Sequence, residues 1–326
     1  MTIINDTNDE TLSRITAMRR QEDEVSCCIN YLQLSTNNEI DAKCRTQMVT
    51  WCQQVQKALK LSPETVWIAI SFFDRYLSSG KGKSRAALQD KYKFQLAAIT
   101  SFYIAVKLYE NVELSVDTLA KLCKGYYAKE DIIDSEEDII FALDFRLATP
   151  TPMEFVRHIM ECMLPPELNN NNKAFVKAVQ KKIEYTSTDI YFTFCKPSVI
   201  GASVLTSILV TREILSPTER QTFYLRLSSI TDLIDVMEAQ NKLITGHTKP
   251  VSVSKMVSSS SSAVVTQKKK PTIISKVADH YVNKTNKTIV VASGNSKVAD
   301  QYVKNKAIVA NGNTSPKCIR AMPRAA

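Results

Sequence analysis

Lys107 and Glu136 are the charged residues of this 326-residue chain whose placement most needs a reason. Lys107 closes a stretch of thirteen mostly apolar residues, 94–106, and Glu136 lies in the acidic cluster 134–138. An ammonium offers three donors and a carboxylate several acceptor sites, so both can hold polar groups of a partner. Taken singly, each also has an ordinary reading. A lysine at the end of an apolar stretch can snorkel to water, and an acidic cluster can be a solvated helix face. A second pair, Arg45 and Asp74, lies early and late on adjacent predicted helices among apolar neighbours. A buried charge without a partner costs several kcal/mol, so each needs a counter-charge unless both point to solvent.

Other chemistries lack raw material. There are seven glycines, and neither Gly-x-Gly-x-x-Gly nor Gly-x-x-x-x-Gly-Lys occurs, which removes the usual phosphate cradles. Histidine is confined to His158, His247 and His280, too few for most zinc sites or Ser/His and Cys/His catalytic sets. The eight cysteines, at 27, 28, 44, 52, 123, 162, 195 and 318, form no C-x-x-C pair. The first residues, Met1-Thr-Ile-Ile-Asn-Asp, lack the apolar core of a secretory leader. Reduced, mostly buried thiols in an intracellular protein are the expectation. Residues 94–106 are too short to span a membrane, which takes ~20 residues, and read as a core helix.

The formal net charge is +9, which invites a nucleic-acid reading. Its location removes that reading from the body. Residues 246–326 carry +12, and the preceding 245 residues carry −3.

The elements that must position the charged residues are helices. Apolar residues recur at spacings of three and four, as in Leu12, Ile15, Met18, Val25, Cys28, Ile29 and Leu32. Start signals punctuate the pattern. Thr151-Pro-Met-Glu154 and Ser216-Pro-Thr-Glu219 each supply an N-cap, a proline at the first helical position and a glutamate at the third, and Ser62-Pro-Glu64 is a weaker version. The predicted helices are 9–34, 41–60, 63–78, 92–109, 115–122, 129–142, 152–163, 173–193, 198–213, 217–224 and 228–243. Residues 80–85 read as a flexible basic connection. Beyond Gly246 come a serine run at 258–262, Lys268-Lys-Lys-Pro271, and a segment written twice: Ser275-Lys-Val-Ala-Asp-His-Tyr-Val282 and Ser296-Lys-Val-Ala-Asp-Gln-Tyr-Val303. Two short copies cannot bury a core alone. The tail is therefore expected to be largely disordered, its copies serving at most as short docking segments.

Taken in order, the landmarks Arg45-Thr-Gln-Met-Val-Thr-Trp51, Asp74-Arg-Tyr-Leu77, the 94–110 helix with Lys107, Ser135-Glu-Glu-Asp-Ile-Ile-Phe-Ala-Leu-Asp-Phe145 and Leu147-Ala-Thr-Pro-Thr-Pro152 resemble the cyclin box. Pro197-Ser-Val-Ile-Gly-Ala-Ser-Val-Leu205 is similar to the second box of D-type and related cyclins. The resemblance implies an all-α fold with two five-helix boxes in tandem: an N-terminal extension at 1–40, a first box at 41–150, a second at 151–245 and a tail at 246–326. It implies that Arg45 pairs with Asp74. It also implies that Lys107 donates to backbone carbonyls, and Glu136 accepts from backbone N–H groups, around the αC helix of a cyclin-dependent Ser/Thr kinase. On this reading the chain is a kinase activator in cell-cycle control, at G1 or G1/S, that is no enzyme and needs no cofactor. It would reside in nucleus and cytoplasm, with neither membrane nor nucleic acid as a partner. A transcriptional-type cyclin is the nearest alternative. The two-box general transcription factor B shares the fold, but binding DNA calls for a basic body, not one at −3.

Departures from the family pattern qualify the substrate side. The residues aligned with the family's docking patch for Arg-x-Leu motifs are Cys44, Gln47, Met48, Trp51 and Gln95. The patch isoleucine is replaced by Gln47, and its acidic partner by Gln54. Weakened docking of substrates or inhibitors is expected, with Met48 and Trp51 as core residues the alternative. Leu-x-Cys-x-Glu and Lys-Glu-Asn are absent. Ser315, in Ser-Pro-Lys317, is a candidate phosphosite for a proline-directed kinase, and Lys268-Lys-Lys-Pro271 a candidate import signal.

Overall fold

The computed structural model describes residues 3–25, 28–35, 40–165 and 173–246. They contain twelve α-helices, two 3₁₀ turns and no strand. A first bundle holds α2 (Ala42–Leu59), α3 (Pro63–Ser79), the short α4 (Ser84–Ala87), α5 (Lys91–Tyr109), α6 (Val116–Leu122) and α7 (Lys129–Ala142). A second holds α8 (Pro152–Met163), α9 (Lys173–Thr186), α10 (Pro197–Thr211), α11 (Pro217–Leu227) and α12 (Leu233–Thr245), with α1 (Ile3–Val25) packed against α8. Setting α4 aside as one turn inside the α3–α5 connection, each bundle has five helices, as the resemblance implies.

Two helices are apolar on all sides and are therefore central. On α5 every residue from Phe94 to Val106 except Gln95 is buried, and on α10 every residue from Pro197 to Leu209. Around α5, Phe73 meets Phe94 and Trp51 meets Phe102 edge-on, with ring centroids 5.0 and 5.9 Å apart. Around α10, Phe155, Ile159, Phe175, Val179 and Val236 close the second core, and Ile15 of α1 enters it. The buried hydroxyls of Ser203, Thr206 and Ser207 donate to carbonyls three or four residues back, which satisfies them without a polar partner helix. Gly201 lets α10 approach α8, because a Cβ there would lie 2.6 Å from the Pro152 carbonyl oxygen.

The sequence caps operate. Thr151 and Glu154, like Ser216 and Glu219, form reciprocal capping boxes, each worth ~1 kcal/mol. Ser62 Oγ accepts from the Glu64 N–H at 3.3 Å. The second bundle also takes a cap from α1. Glu22 is buried and accepts from the Ser198 N–H at 2.9 Å and the Ser198 hydroxyl at 2.6 Å, at the start of α10. Burial pushes the Glu22 carboxyl above its ordinary range, and the Ser198 bonds pull it part of the way back.

Three predicted helices are corrected. The 9–34 helix ends at Val25, and Tyr31–Leu34 form a 3₁₀ turn, because Tyr31 is fully buried with its hydroxyl 2.6 Å from Asp74 Oδ1. The 173–193 helix ends at Thr186, and Asp189 caps a 3₁₀ turn at Ile190–Phe194. The 228–243 helix begins at Leu233, where Asp232 accepts from the Ile234 N–H. The connection at 80–85 is tied down rather than loose. Lys81 bonds Asp144, and the Lys83 N–H donates to Asp138, which also accepts from Tyr76. Gly82 there has φ +53°, and a Cβ would collide with Asp138. The duplicated segment, Lys268-Lys-Lys-Pro271 and Ser315 lie outside the described residues.

Candidate functional site

Helix α5 delivers Lys107 in its last turn, where helix carbonyls favour a cation. Helix α7 packs on α5 and delivers Glu136 opposite. Lys107 Nζ lies 2.7 Å from Glu136 Oε1, with the side chains 21 and 14 % exposed, and 4.9 Å from the Tyr103 ring centroid. The Tyr103 hydroxyl is pushed up to about 12 by burial, reinforced by the negative fields of Glu136 and Glu113. The two charges are therefore a half-buried pair on one surface rather than separate solvated groups.

Helix α7 and the turn after it also expose apolar side chains. Ile133 and Phe141 of α7 and Phe145 just beyond it are each at least half exposed, and Phe141 and Phe145 meet edge-on at 5.1 Å. Asp144 and Phe145 have φ +52° and +59°, two consecutive non-glycine residues in the left-handed region. That region costs roughly 1–2 kcal/mol per residue, a strain that concentrates at functional surfaces. Sequence reading passed over these aromatics. The available signal was phase: the buried stripe of α7 is Ile132, Ile139, Ile140 and Ala142, and Phe141 falls off it.

Arg45 and Asp74 do meet, and they do more than join α2 to α3. Arg45 Nε and Nη2 fork onto the two Asp74 oxygens at 2.9 and 2.7 Å, with Arg45 1 % and Asp74 3 % exposed. Asp74 also accepts from Tyr31 at 2.6 Å and Thr193 at 3.3 Å. Burial alone would lower the Arg45 guanidinium, but the adjacent carboxylate holds it above its ordinary value. Arg45 Nη1 then crosses to the second bundle and donates to the Ser187 carbonyl at 2.8 Å. Thr46 and Gln53 donate to the carbonyls of Thr188 and Glu184. Helix α2 thus satisfies the orphan carbonyls at the C-terminal end of α9. Glu64 adds a second tie, bonding Arg157 and accepting from the Thr151 hydroxyl.

Residues 14–148 match the family Cyclin, N-terminal domain, and residues 150–277 match Cyclin, C-terminal domain. The chain belongs to the cyclin family. This cyclin is 24 % identical to the G1/S-specific cyclin-D1 of Homo sapiens over 67 % of its own length and 69 % of that protein. It is 31 % identical to the G2/mitotic-specific cyclin-2 of Antirrhinum majus over 53 % of its own length, spanning 36 % of that relative. In fold it is similar to a viral cyclin from herpesvirus saimiri, with a TM-score of 0.57, 18 % identity, and coverage of 71 % of this chain and 96 % of that one.

The expected docking patch is only partly a surface. Met48 and Trp51 are 1 and 3 % exposed, committed to the core by the Trp51–Phe102 contact. Cys44 and Gln95 are half-buried, Gln47 is exposed, and Gln95 Oε1 accepts from Tyr127 at 3.3 Å. Cys28, Cys52, Cys123, Cys162 and Cys195 are free thiols; Cys52, Cys123 and Cys162 are buried. Among the described residues no group of His, Cys, Asp and Glu could hold a metal ion, and no helix is long and apolar enough to cross a membrane.

Proposed function

We propose that this cyclin is the regulatory subunit of a cyclin-dependent Ser/Thr kinase in cell-cycle control, acting at G1 or G1/S. Lys107 and Glu136 are the polar grip on the kinase. The observation that carries this reading is their half-buried pairing inside a cyclin N-terminal domain whose helix α7 and following turn expose Ile133, Phe141 and Phe145. Apolar area supplies the attraction of a protein interface, and charged groups at its edge gain strength as water leaves.

A protein kinase aligns ATP only when its β3 lysine pairs with the αC glutamate. A protein that binds the conformer with αC turned inward shifts the population toward it. In the complex Lys107 turns its donors to backbone carbonyls beside αC, and Glu136 accepts from backbone N–H groups there. The kinase supplies the phosphate chemistry, and the cyclin supplies binding energy. Pulldown from cell extract, with identification of the kinase and an activity assay, tests the proposal. Recovery of an active kinase supports it, and recovery of none overturns it. Substrate docking through an Arg-x-Leu groove is proposed to be weak, because Gln47 and Gln54 replace the apolar and acidic contacts and Met48 and Trp51 are core residues.

A further inference from the structure

Helix α3 lays Trp67, Ser71 and Arg75 along a cleft of ≈ 520 Å³, partly open to solvent, between the two bundles. Spacings of four put these three on one face of the helix. Ile200 of α10 and Thr193, just before that helix, complete the lining from the second bundle. The Arg45–Asp74 fork also borders the cleft, and its two charges cancel.

Arg75 has no such counter-charge. It is 8 % exposed, yet it forms no ion pair among the described residues. Nη2 donates to the Arg146 carbonyl at 2.7 Å, whereas Nη1 is buried without a hydrogen-bond partner. Burial pushes the guanidinium down to about 10, because the groups around it are the Cys28 thiol, the Tyr109 hydroxyl and the Arg146 guanidinium, with no carboxylate among them. A buried charge is normally paired, and one left unpaired is costly. The half-buried Ser71 hydroxyl, one turn back on the same face, also lacks a hydrogen-bond partner among the described residues. A guanidinium and a hydroxyl thus stand four residues apart on one cleft wall, both with donors to spare and with one positive charge in excess. That combination suits an oxyanion, whose hydrogen bonds to a guanidinium are charge-assisted. Trp67 and Ile200 make the rest of the cleft apolar, and a low local dielectric strengthens such bonds.

We propose that this cleft binds a small free oxyanion of the phosphate type, held by Arg75 Nη1 and the Ser71 hydroxyl. A small rotation of the guanidinium, with Nη2 kept on the Arg146 carbonyl, turns Nη1 to the anion. Because α3 and α10 both line the cleft, the bound anion ties the first bundle to the second, beside the bond from Arg45 to the Ser187 carbonyl.

Thermal melts of the full-length protein, followed by far-UV circular dichroism in inorganic phosphate or in chloride of equal ionic strength, test this. Phosphate at about 20 mM is expected to raise the wild-type melting temperature by about 4 °C or more over chloride, saturating with a half-point on the order of 1 mM. Arg75→Met keeps much of the volume but not the charge; it is expected to fold and to lose the saturable rise. Ser71→Ala is expected to move the half-point up by about threefold or more. A rise of equal size in Arg75→Met is the general stabilising effect of phosphate on proteins and overturns the proposal. Absence of a saturable rise in the wild type overturns it too. Should Arg75→Met not fold, an unmoved half-point in Ser71→Ala overturns it.

Discussion

Replacing Arg45 by alanine removes three hydrogen bonds at one point: the fork to Asp74 and the bond to the Ser187 carbonyl. Asp74, 3 % exposed in the wild type, is then left with Tyr31 and Thr193 as donors but no cation. Breaking a buried pair by removing one partner costs about 3–5 kcal/mol, because the surviving charge stays buried. An orphaned carbonyl adds roughly 1 kcal/mol. Stabilities of folded domains are ~5–15 kcal/mol, so a loss of about 5 kcal/mol removes a third or more of the total. With a urea slope of about 2 kcal/mol/M, the midpoint falls by about 2.5 M. Arg45→Lys keeps the charge but not the fork, and should cost about 1–2 kcal/mol. Urea titration of both variants, followed by far-UV circular dichroism, gives the numbers. A loss below about 1 kcal/mol for Arg45→Ala would refute the claim that this guanidinium locks the two domains together.

Glu22, whose carboxyl is raised by burial from its ordinary value of 4.5, sets a pH dependence. The folded state binds this proton more tightly than the unfolded chain. The resulting stabilisation is complete below the unfolded value and is lost as pH rises through the raised native value. Glu22→Gln should therefore gain stability relative to wild type between pH 4.5 and 7.5 in urea titrations; a constant difference would contradict the buried cap. Phe145→Gly relieves a left-handed residue, so its melting temperature should hold or rise, with up to ~1 kcal/mol gained, while kinase affinity falls at least about tenfold. Unchanged affinity by calorimetry would remove Phe145 from the contact surface. An Arg-x-Leu peptide should bind this cyclin with only weak, roughly submillimolar affinity, and tight binding in a fluorescence titration would reopen the buried patch.

The parts of the fold that sequence revealed are those written locally. Thr151 and Glu154, or Ser216 and Glu219, cap within one turn, so their spacing suffices to place α8 and α11. The all-apolar stretch of residues 94–106 marked a central helix because no polar face remained to meet water. Elements settled by distant partners were misplaced. The apolar spacing of α1 continues to Leu32, yet Tyr31 leaves the helix to reach Asp74, 43 residues away. Lys107 and Glu136 were visible as charges, but their 2.7 Å approach depends on α5 packing against α7. Arg45 and Asp74 were expected to join two helices. The reach of Arg45 to Ser187, 142 residues on, has no local signature. Ile133 and Phe141 were missed because an exposed apolar residue on a helix reads like a core residue until its phase is compared with the buried stripe, and Phe145 because it lies past the end of α7.

The most direct test of the central claim is kinase activation by the purified cyclin and by its Lys107→Ala/Glu136→Ala double variant, against a panel of purified cyclin-dependent kinases. The wild type should stimulate at least one kinase. The variant should keep its helical spectrum and melting temperature within a few degrees, because both partners are removed together, no charge is left unpaired, and the partly exposed pair is worth ~1 kcal/mol. Its affinity for that kinase should fall by about tenfold to a hundredfold, or 1.4–2.8 kcal/mol. Equal stimulation by the folded double variant, or no kinase stimulated by the wild type, would contradict the account.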